Sequence, residues 1–363
     1  MLHRADRRPG RAESLNMGEV VRADIYDAIS DGNIPWDRLR DSTVLVTGAT
    51  GLVGSALVRT LASANTEYGL NTRLIGHGRD ADKGEALARE LQTEHISGDI
   101  RKLSSIANIA ERLDYIIHCA AVTKSADMAA KPAEVMTTAA DGTKNILDLA
   151  PEKQCLSFVY ISSMEIYGQT ELSEVSEGDL GYLDLSGPRS CYPESKRFCE
   201  TLCLAYARQY GFRAKAARLA QTFGAGTPKD DTRVFAQFAR SAIENRDIEL
   251  HTEGETRGNY FYISDTVRGL LTILLKGEGG EAYNIANPEA GATVREMAEL
   301  VADKICNGKI NVAVKAPEDI EKLGYAPHSG FTLNADKLKA LGWSPKYGLE
   351  EMYRRMIADW RGR

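Results

Sequence analysis

The feature that most constrains the fold is a glycine-rich segment at residues 42–54, which reads STVLVTGATGLVG. Its first part, residues 43–46, is rich in β-branched and apolar residues, as is typical of a buried parallel strand. Just beyond the last glycine, apolar residues recur at Leu57, Val58 and Leu61, with the spacing of an amphipathic helix. The sequence therefore predicts a strand, a tight turn and a helix in direct succession.

The turn carries three glycines, Gly48, Gly51 and Gly54, and their context indicates a dinucleotide site. A sharp turn needs backbone freedom, a pyrophosphate needs a surface without Cβ atoms, and the positive end of a helix favours an anion. Leu52 and Val53, which lie between the second and third glycines, are predicted to contact the cofactor together with the glycines. The alternative is an ordinary glycine turn, but the flanking strand and helix favour the cofactor.

Composition narrows the class of protein. The chain has 363 residues, enough for one large domain with a smaller lobe, and a formal net charge of −6. The acidic balance argues against nucleic-acid binding, and since no run of 18 apolar residues occurs, no membrane span is expected. The six cysteines lack metal-ligand spacing, which predicts no metal site and reduced, buried thiols in a cytoplasmic protein.

Strands and helices alternate along the chain. Further strands are predicted over residues 73–76, 95–100, 115–121 and 158–162, and an amphipathic helix over residues 134–149. This order predicts an α/β fold of the Rossmann type, a doubly wound parallel sheet with ligands at the carboxyl edge of its strands. The domains expected are an N-terminal extension (1–40), a dinucleotide-binding domain (41–220, with 258–287 returning to it) and a substrate-binding lobe (221–363).

Two shorter expectations concern the flanks. Residues 1–16 are basic and lack a following apolar core, so they are no secretory signal; they are interpreted as a disordered arm or the product of an upstream start codon. Apolar positions in residues 25–39 are expected to pack over the sheet. Asp265 is expected to cap a helix that extends to Leu275.

The residue after the second strand bears on cofactor choice. A carboxylate there would hold the adenosine ribose, but this chain has Arg79. Arg79 either stacks on adenine, accepts the 2′-phosphate of NADP, or is a solvated loop residue. The expected cofactor is therefore NAD, with NADP not excluded.

The ends of the third and fourth strands supply other cofactor contacts. Asp99, followed by Ile100, is placed to bond the adenine amine, with a helix N-cap as the alternative. Ala120 and Ala121 are small enough to let the cofactor backbone lie close. Thr123 and its neighbour Lys124 are then expected to face the ligand cleft.

A candidate catalytic group follows the fifth strand. Tyr192 and Lys196 are four residues apart, so on a helix they share one face, which Cys199 and Cys203 continue. A surface pair is the alternative, but the order after a cofactor turn and a serine-rich strand end favours catalysis. To accept a proton near neutral pH, the tyrosine needs its pKa of about 10 lowered by roughly three units, or about 4 kcal/mol. Lys196 and a positive nicotinamide ring are expected to supply this, while Ser163 holds the reacting hydroxyl.

These motifs, in this order, resemble those of the extended short-chain dehydrogenase/reductases in the nucleotide-sugar epimerase/dehydratase family. The resemblance rests on the glycine turn and on GDIR (98–101), HCAA (118–121), SSMEIYG (162–168) and YPESK (192–196). It implies transient oxidation at C4 of a nucleotide-diphosphate sugar. It also implies a homodimer formed by the helix that carries Tyr192 and the helix over residues 134–149.

The triplet Ser163, Met164 and Glu165 bears on the reaction after oxidation. In dTDP-glucose 4,6-dehydratases this position resembles hydroxyl-Asp-Glu, where Asp is the acid and Glu the base. Glu165 matches the base, whereas Met164 cannot be the acid. UDP-glucuronate decarboxylases have hydroxyl-Ser-Glu there, so epimerisation, dehydration and decarboxylation stay open.

The second lobe resembles the family's substrate lobe. Gln221 stands where an Asn is usual and retains the amide, and Arg233 is a candidate for the diphosphate. Arg257 is a second candidate, one residue before the family's usual arginine position. The predicted substrate contacts are Thr123, Ser163, Met164, Gln221, Arg233 and Arg257. The alternatives to a sugar-nucleotide enzyme are a cofactor-binding regulator without turnover and a carbonyl reductase of a non-nucleotide substrate.

Overall fold

The computed structural model describes residues 17–187, 189–315 and 330–363, so the basic arm at 1–16 lies outside the described residues. The helices are α1 Glu19–Ile29, α2 Leu52–Tyr68, α3 Ala81–Leu91, α4 Ser125–Ala130, α5 Pro132–Glu152, α6 Cys191–Tyr210, α7 Val234–Glu244, α8 Ile263–Lys276, α9 Val294–Leu300, α10 Asp336–Lys339 and α11 Leu349–Gly362. The strands are β1 Thr43–Thr47, β2 Arg73–Gly78, β3 Glu94–Ser97, β4 Tyr115–His118, β5 Ser157–Ser163, β6 Glu174–Val175, β7 Arg213–Leu219, β8 Gln221–Phe223, β9 Ile248–Leu250, β10 Arg257–Gly258, β11 Tyr260–Tyr262, β12 Ala282–Ile285, β13 Ala292–Thr293, β14 Val312–Val314 and β15 Thr332–Leu333.

The main sheet has seven strands in the order β12-β7-β5-β4-β1-β2-β3, and every neighbouring pair is parallel. The predicted doubly wound sheet is therefore confirmed. The chain runs outward from β1 through β2 to β3 and then returns to β4 on the other side of β1. This reversal opens a crevice at the carboxyl ends of β1 and β4, where such sheets bind ligands.

The two faces of the sheet pack against different helices, as the alternation of side chains along a strand requires. Val44 and Val46 of β1 belong to a core that includes residues of α2 and α8. Leu45 faces the opposite core, which includes Ile146 of α5 and Cys199 of α6. The crevice is therefore fixed from both sides.

The segment before β1 is part of this fold. Helix α1 contacts α2, α8 and α11, and Ile34, Trp36 and Leu39 are buried in the α2 and α8 core. Arg268 of α8 is buried and donates to Asp31 at 2.8 Å and to Asp265. This buried ion cluster fixes the chain before β1 to helix α8.

Asp265 is not the cap of α8, so that expectation was wrong. The helix begins at Ile263 with Tyr262 at the N-cap position, and Asp265 lies in its first turn. Its carboxylate accepts hydrogen bonds from the backbone N–H groups of Lys346 and Tyr347, at 2.9 and 3.2 Å, as well as from Arg268. It therefore anchors the loop before α11.

The second lobe has its own core, formed by α7, α9, α11 and the short strands around them. Phe223 and Phe235 stack with ring centroids 4.5 Å apart, and Tyr353 packs beside Phe223 at 5.3 Å. Within residues 17–187, 189–315 and 330–363, no helix has the length and apolar character needed to cross a membrane, and no cluster of metal-ligating side chains occurs.

Candidate active site

One cavity of about 1240 Å³ runs along the crevice. It begins at the glycine turn, passes the ends of β4 and β5, and reaches α6 and the second lobe. Sites for one small molecule usually enclose about 300–1,000 Å³. This cavity therefore has room for a dinucleotide and a second ligand.

The glycine turn forms one wall of the cavity, and two of its glycines admit no side chain. Gly48 has a φ of 67°, and a Cβ there would lie 2.9 Å from the backbone N of Ala120. A Cβ on Gly54 would lie 2.1 Å from the carbonyl oxygen of Gly48. Gly51 is the N-cap of α2 and is exposed in the cavity, so the first N–H groups of that helix open onto a surface without a Cβ. Leu52 and Val53 also line the cavity.

This cradle fits the pyrophosphate of NAD, because it combines bare backbone with a helix N-terminus. The turn is also fixed in place. The Ala120 N–H donates to the Thr47 hydroxyl at 3.2 Å, and that hydroxyl lies 2.7 Å from Nδ1 of His118. His118 is buried, and its Nε2 lies 3.1 Å from the hydroxyl of Thr143 on α5.

The end of the cavity beside β2 and β3, which was expected to take the adenosine, is lined by Arg79 and Asp99. Arg79 is exposed there, while Asp99 pairs with Arg101 at 2.5 Å. Hydrogen bonds from Arg101 lower the pKa of Asp99 to about 2. Ile100 is buried against α5, where a Cβ on Gly142 would lie 2.7 Å from its Cγ2.

His77 also lines this end and was missed by the sequence analysis. Its ring is buried, and neither ring nitrogen has a partner within the described residues. Burial, reinforced by the nearby His95, lowers its pKa to about 4. The sequence signal was a histidine between two glycines at the end of the second strand.

The segment after β4 lies partly along the cavity. Ala120, Ala121 and Thr123 line it, as predicted. Lys124 does not line it, contrary to expectation: this residue is exposed at the N-cap of α4. The chain has already turned into that helix at Lys124.

Ser163, Tyr192 and Lys196 come together at the middle of the cavity, where β5 ends and α6 begins. Lys196 is 3% exposed, and its Nζ donates to the Ile161 carbonyl at 2.7 Å. The same Nζ lies 5.7 Å from the centroid of the Tyr192 ring. Ser163 lies close enough to Tyr192 to lower the pKa of the phenol.

The expected lowering of the Tyr192 pKa does not occur in the protein alone. Burial raises this pKa, the charge of Glu165 raises it further, and the nearby Ser163 hydroxyl offsets only part of the rise. Burial also lowers the pKa of Lys196 to about 8. For both groups, desolvation therefore outweighs the charges and hydrogen bonds that favour the ionised form.

Glu165 lies beside this group and contacts an arginine that the sequence analysis missed. Nη2 of Arg189 donates to both carboxylate oxygens of Glu165, each at 3.2 Å. Both residues line the cavity, and their side chains are 12% (Arg189) and 35% (Glu165) exposed. Met164 also lines it but is otherwise packed in the core. The sequence signal for Arg189 was an arginine two residues before the helix of Tyr192.

The second lobe contributes Gln221, Arg233 and Arg257 to the wall of the cavity. Arg233 forms a two-pronged ion pair with Asp231, with distances of 2.6 and 3.0 Å. Arg257 donates to the Gly291 carbonyl at 2.8 Å and lies 3.5 Å from Glu296.

Gly258 cannot be replaced by the family's usual arginine without rearrangement. A Cβ there would lie 2.7 Å from the ring of Tyr260. The arginine of this chain stands one residue earlier, at position 257.

A parallel sheet with a glycine turn at its crevice, and a buried tyrosine and lysine one helical turn apart beside it, defines a dinucleotide-dependent enzyme of the short-chain dehydrogenase/reductase type. Residues 44–286 match the model of the NAD dependent epimerase/dehydratase family. The chain therefore belongs to that family, whose cofactor is NAD.

Relatives and solved structures agree with this assignment. UDP-glucuronic acid decarboxylase 1 of Xenopus tropicalis is 29% identical over 322 residues, which cover 88% of this chain and 72% of the relative. The UDP-glucose 4-epimerase of Thermotoga maritima, solved with UDP-glucose, is 24% identical with a TM-score of 0.76 and covers 88% of this chain and 98% of its own. The dTDP-glucose 4,6-dehydratase DesIV of Streptomyces venezuelae, solved with NAD, is 21% identical with a TM-score of 0.72 and covers 88% and 96%. The two structures establish a shared fold.

Proposed function

We propose that this enzyme oxidises C4 of a UDP-sugar transiently and that its substrate is UDP-glucuronic acid, which it decarboxylates. The observation that carries the proposal is one cavity shared by the glycine turn, Ser163, Glu165, Tyr192 and Lys196. The sugar follows from the similarity to UDP-glucuronic acid decarboxylases over most of both chains.

In this scheme Tyr192 accepts the proton of the C4 hydroxyl, and Ser163 hydrogen-bonds the same oxygen. Lys196, with a pKa of about 8, is mostly protonated at neutral pH and stabilises the phenolate. Because burial raises the pKa of Tyr192, Lys196 does not suffice alone. Bound NAD would supply the acceptor, and later the donor, of the C4 hydride, and its oxidised ring would add the positive charge that the phenolate needs.

The 4-keto sugar then makes loss of the C6 carboxylate easy. The bond between C5 and C6 breaks, its electron pair moves toward the C4 carbonyl as an enolate, and CO₂ leaves. C5 subsequently takes up a proton. No hydroxyl has to depart, so no acid is required at the position of Met164, and this suits the residue found there. Glu165, beside the reacting centre, handles the proton at C5.

The remaining substrate contacts are assigned by position. Thr123 and Gln221 line the sugar part of the cavity, and Arg233 and Arg257 are proposed to hold the diphosphate. Arg233 would then exchange part of its pairing with Asp231 for phosphate oxygens.

The enzyme is further proposed to act as a homodimer. Helices α5 and α6 pack side by side and carry large exposed apolar residues: Met136, Phe198 and Tyr210, which are 44%, 53% and 49% exposed. A second copy of the same helix pair would cover them as a four-helix interface. The six free cysteines, five of them buried, support a reducing compartment such as the cytoplasm.

The test is turnover of UDP-glucuronic acid labelled with ¹³C at C6, assayed with UDP-glucose and dTDP-glucose in parallel. The proposal predicts labelled CO₂ and a UDP-pentose from the first substrate. Tyr192→Phe is expected to release no CO₂ while retaining NAD. Turnover of a neutral sugar alone would overturn the assigned substrate. If every sugar nucleotide were left unchanged, the enzymatic proposal would fail.

A further inference from the structure

Arg189 has no role in the scheme so far, although it lies at the centre of the cavity. It precedes helix α6 by two positions and Tyr192 by three. Its side chain is largely buried, and it lines the cavity next to Glu165 and Ser190. A buried arginine at a reacting centre requires a physical reason, because its desolvation is costly.

Its described contacts use only part of its hydrogen-bonding capacity. Nη2 donates to the two oxygens of Glu165, while Nε is buried and meets no acceptor within the described residues. A guanidinium has five N–H donors in a planar fork and can hold a carboxylate on each of two edges. This chain contains such an arrangement: Arg268 is paired with both Asp31 and Asp265.

The charges around Tyr192 also favour an acidic sugar. Glu165 raises the pKa of the Tyr192 phenol, whereas Arg189 and Arg233 both lower it. All three charges therefore act on the Tyr192 hydroxyl. A negatively charged sugar next to Glu165 would be repelled unless a cation lay between the two. Arg189 is already in contact with Glu165, and a neutral sugar would not need it.

We propose that Arg189 binds the carboxylate of a uronic acid sugar nucleotide, sharing its guanidinium between that group and Glu165, and so selects acidic over neutral sugars. The inference rests on the proposed function and assigns it a specificity-determining residue. Because this ion pair forms already in the ground state, Arg189 acts on binding more than on the chemical step.

The experiment compares the binding of UDP-glucuronic acid and UDP-glucose by calorimetry to NAD-loaded enzyme that carries Tyr192→Phe, because this background is expected to retain NAD without turning the uronate over. The two ligands differ only at C6. Truncating one partner of a buried charge pair typically reduces affinity on the order of 100-fold or more, so Arg189→Gln is expected to weaken the uronate by about that factor. UDP-glucose is expected to change by less than about threefold, because it forms no such ion pair. Arg189→Lys, which keeps the charge but not the fork, is expected to recover part of the loss.

Arg233→Gln is the matched control, since the diphosphate is common to both ligands and both should weaken together. Steady-state kinetics supply a second readout: Arg189→Gln should raise KM for the uronate far more than it lowers kcat. Retained NAD and an unchanged melting temperature verify that each variant is folded.

Equal weakening of both ligands in Arg189→Gln would overturn the inference, because it would indicate that Arg189 only supports Glu165. Unchanged uronate binding would overturn it as well. If the wild-type enzyme bound neither sugar nucleotide, the proposed function itself would fail. If the enzyme decarboxylated UDP-glucuronic acid but Arg189→Gln still preferred it over UDP-glucose as strongly as before, only the role of Arg189 would be refuted.

Discussion

Replacing Gly54 by alanine should impair cofactor binding, and the structure gives the reason. The new Cβ would lie 2.1 Å from the carbonyl oxygen of Gly48 and 2.7 Å from its carbonyl carbon. Both are backbone atoms, and the end of β4 holds the turn through the hydrogen bond between Ala120 and Thr47. The turn must therefore open by about 1 Å, and overpacking of this kind typically costs about 1–3 kcal/mol.

Opening the turn also moves the N–H groups at the start of α2 away from the pyrophosphate. A loss of about 2.8 kcal/mol in binding corresponds to about 100-fold in Kd, which we take as the expected order for Gly54→Ala. The melting temperature should fall by several degrees, since about 1 kcal/mol shifts it by roughly 2–4 °C in domains of 150–250 residues.

Alanine substitutions at two other glycines distinguish an effect on cofactor binding from an effect on folding. A Cβ on Gly51 would meet only the Gly48 oxygen, at 3.3 Å, but would lie on the surface that faces the pyrophosphate. Gly51→Ala should therefore keep the melting temperature and still weaken NAD binding about 10-fold, roughly 1.4 kcal/mol. Gly178 has open space around it, and Gly178→Ala should change neither quantity.

The assay is calorimetric titration of NAD into protein stripped of nucleotide, with melting temperatures recorded in parallel. Wild-type affinity and melting temperature in Gly54→Ala would refute the reasoning. So would a Gly51→Ala variant that melts early but binds NAD normally.

Three further predictions concern folding and assembly. Arg268→Met leaves two buried carboxylates without their cation, so it should lower the free energy of unfolding by about 3–5 kcal/mol in urea titrations. Arg354→Met removes one partner of an exposed ion pair and should change that free energy by less than about 0.5 kcal/mol. Burial, together with the charge of Arg213, lowers the pKa of Lys215 from 10.5 to about 7. Between these pH values the lysine is protonated in the unfolded chain but largely neutral in the folded protein. The contribution of Lys215 to the free energy of unfolding therefore rises with pH across this range. In urea titrations this rise should be about 2 kcal/mol between pH 7 and 9, and Lys215→Met should remove it. If the free energy of unfolding depended on pH equally in the wild-type protein and in Lys215→Met, the prediction would be wrong. Phe198→Asp should convert the proposed homodimer to a monomer in sedimentation velocity runs, whereas Tyr26→Asp, at an exposed residue of α1, should not.

The sequence was sufficient for β1 to β5 because these strands are short apolar runs followed by glycine or polar turns. It did not predict β7, which lies between β5 and β12, because that strand reads RAKAARL and carries three basic residues. Its other errors lie at strand ends, where tertiary contacts determine the last paired residue. The fourth strand was predicted to extend to residue 121, but it ends at His118 because the N–H of Ala120 bonds the Thr47 side chain. The third ends at Ser97, before a turn in which the Asp99 carbonyl accepts the N–H of Lys102.

The residue types around the candidate site could also be read from motifs, whereas their electrostatics could not. Spacing put Tyr192 and Lys196 on one helical face, and the structure has them there. The cost of burying both depends on the walls of the cavity, which no local pattern encodes, so the raised pKa of Tyr192 was not foreseen. Arg189 was missed for the same reason: its contact with Glu165 joins residues 24 positions apart.

The central claim is that a hydride leaves C4 of the sugar and returns to it within one turnover. The direct measurement uses UDP-glucuronic acid deuterated at C4, with the product analysed by NMR and mass spectrometry. The account predicts a UDP-pentose that retains deuterium at C4, with no net reduction of the bound NAD, and no product from Tyr192→Phe. A pentose formed with solvent hydrogen at C4, or formed equally well without the tyrosine hydroxyl, would contradict it.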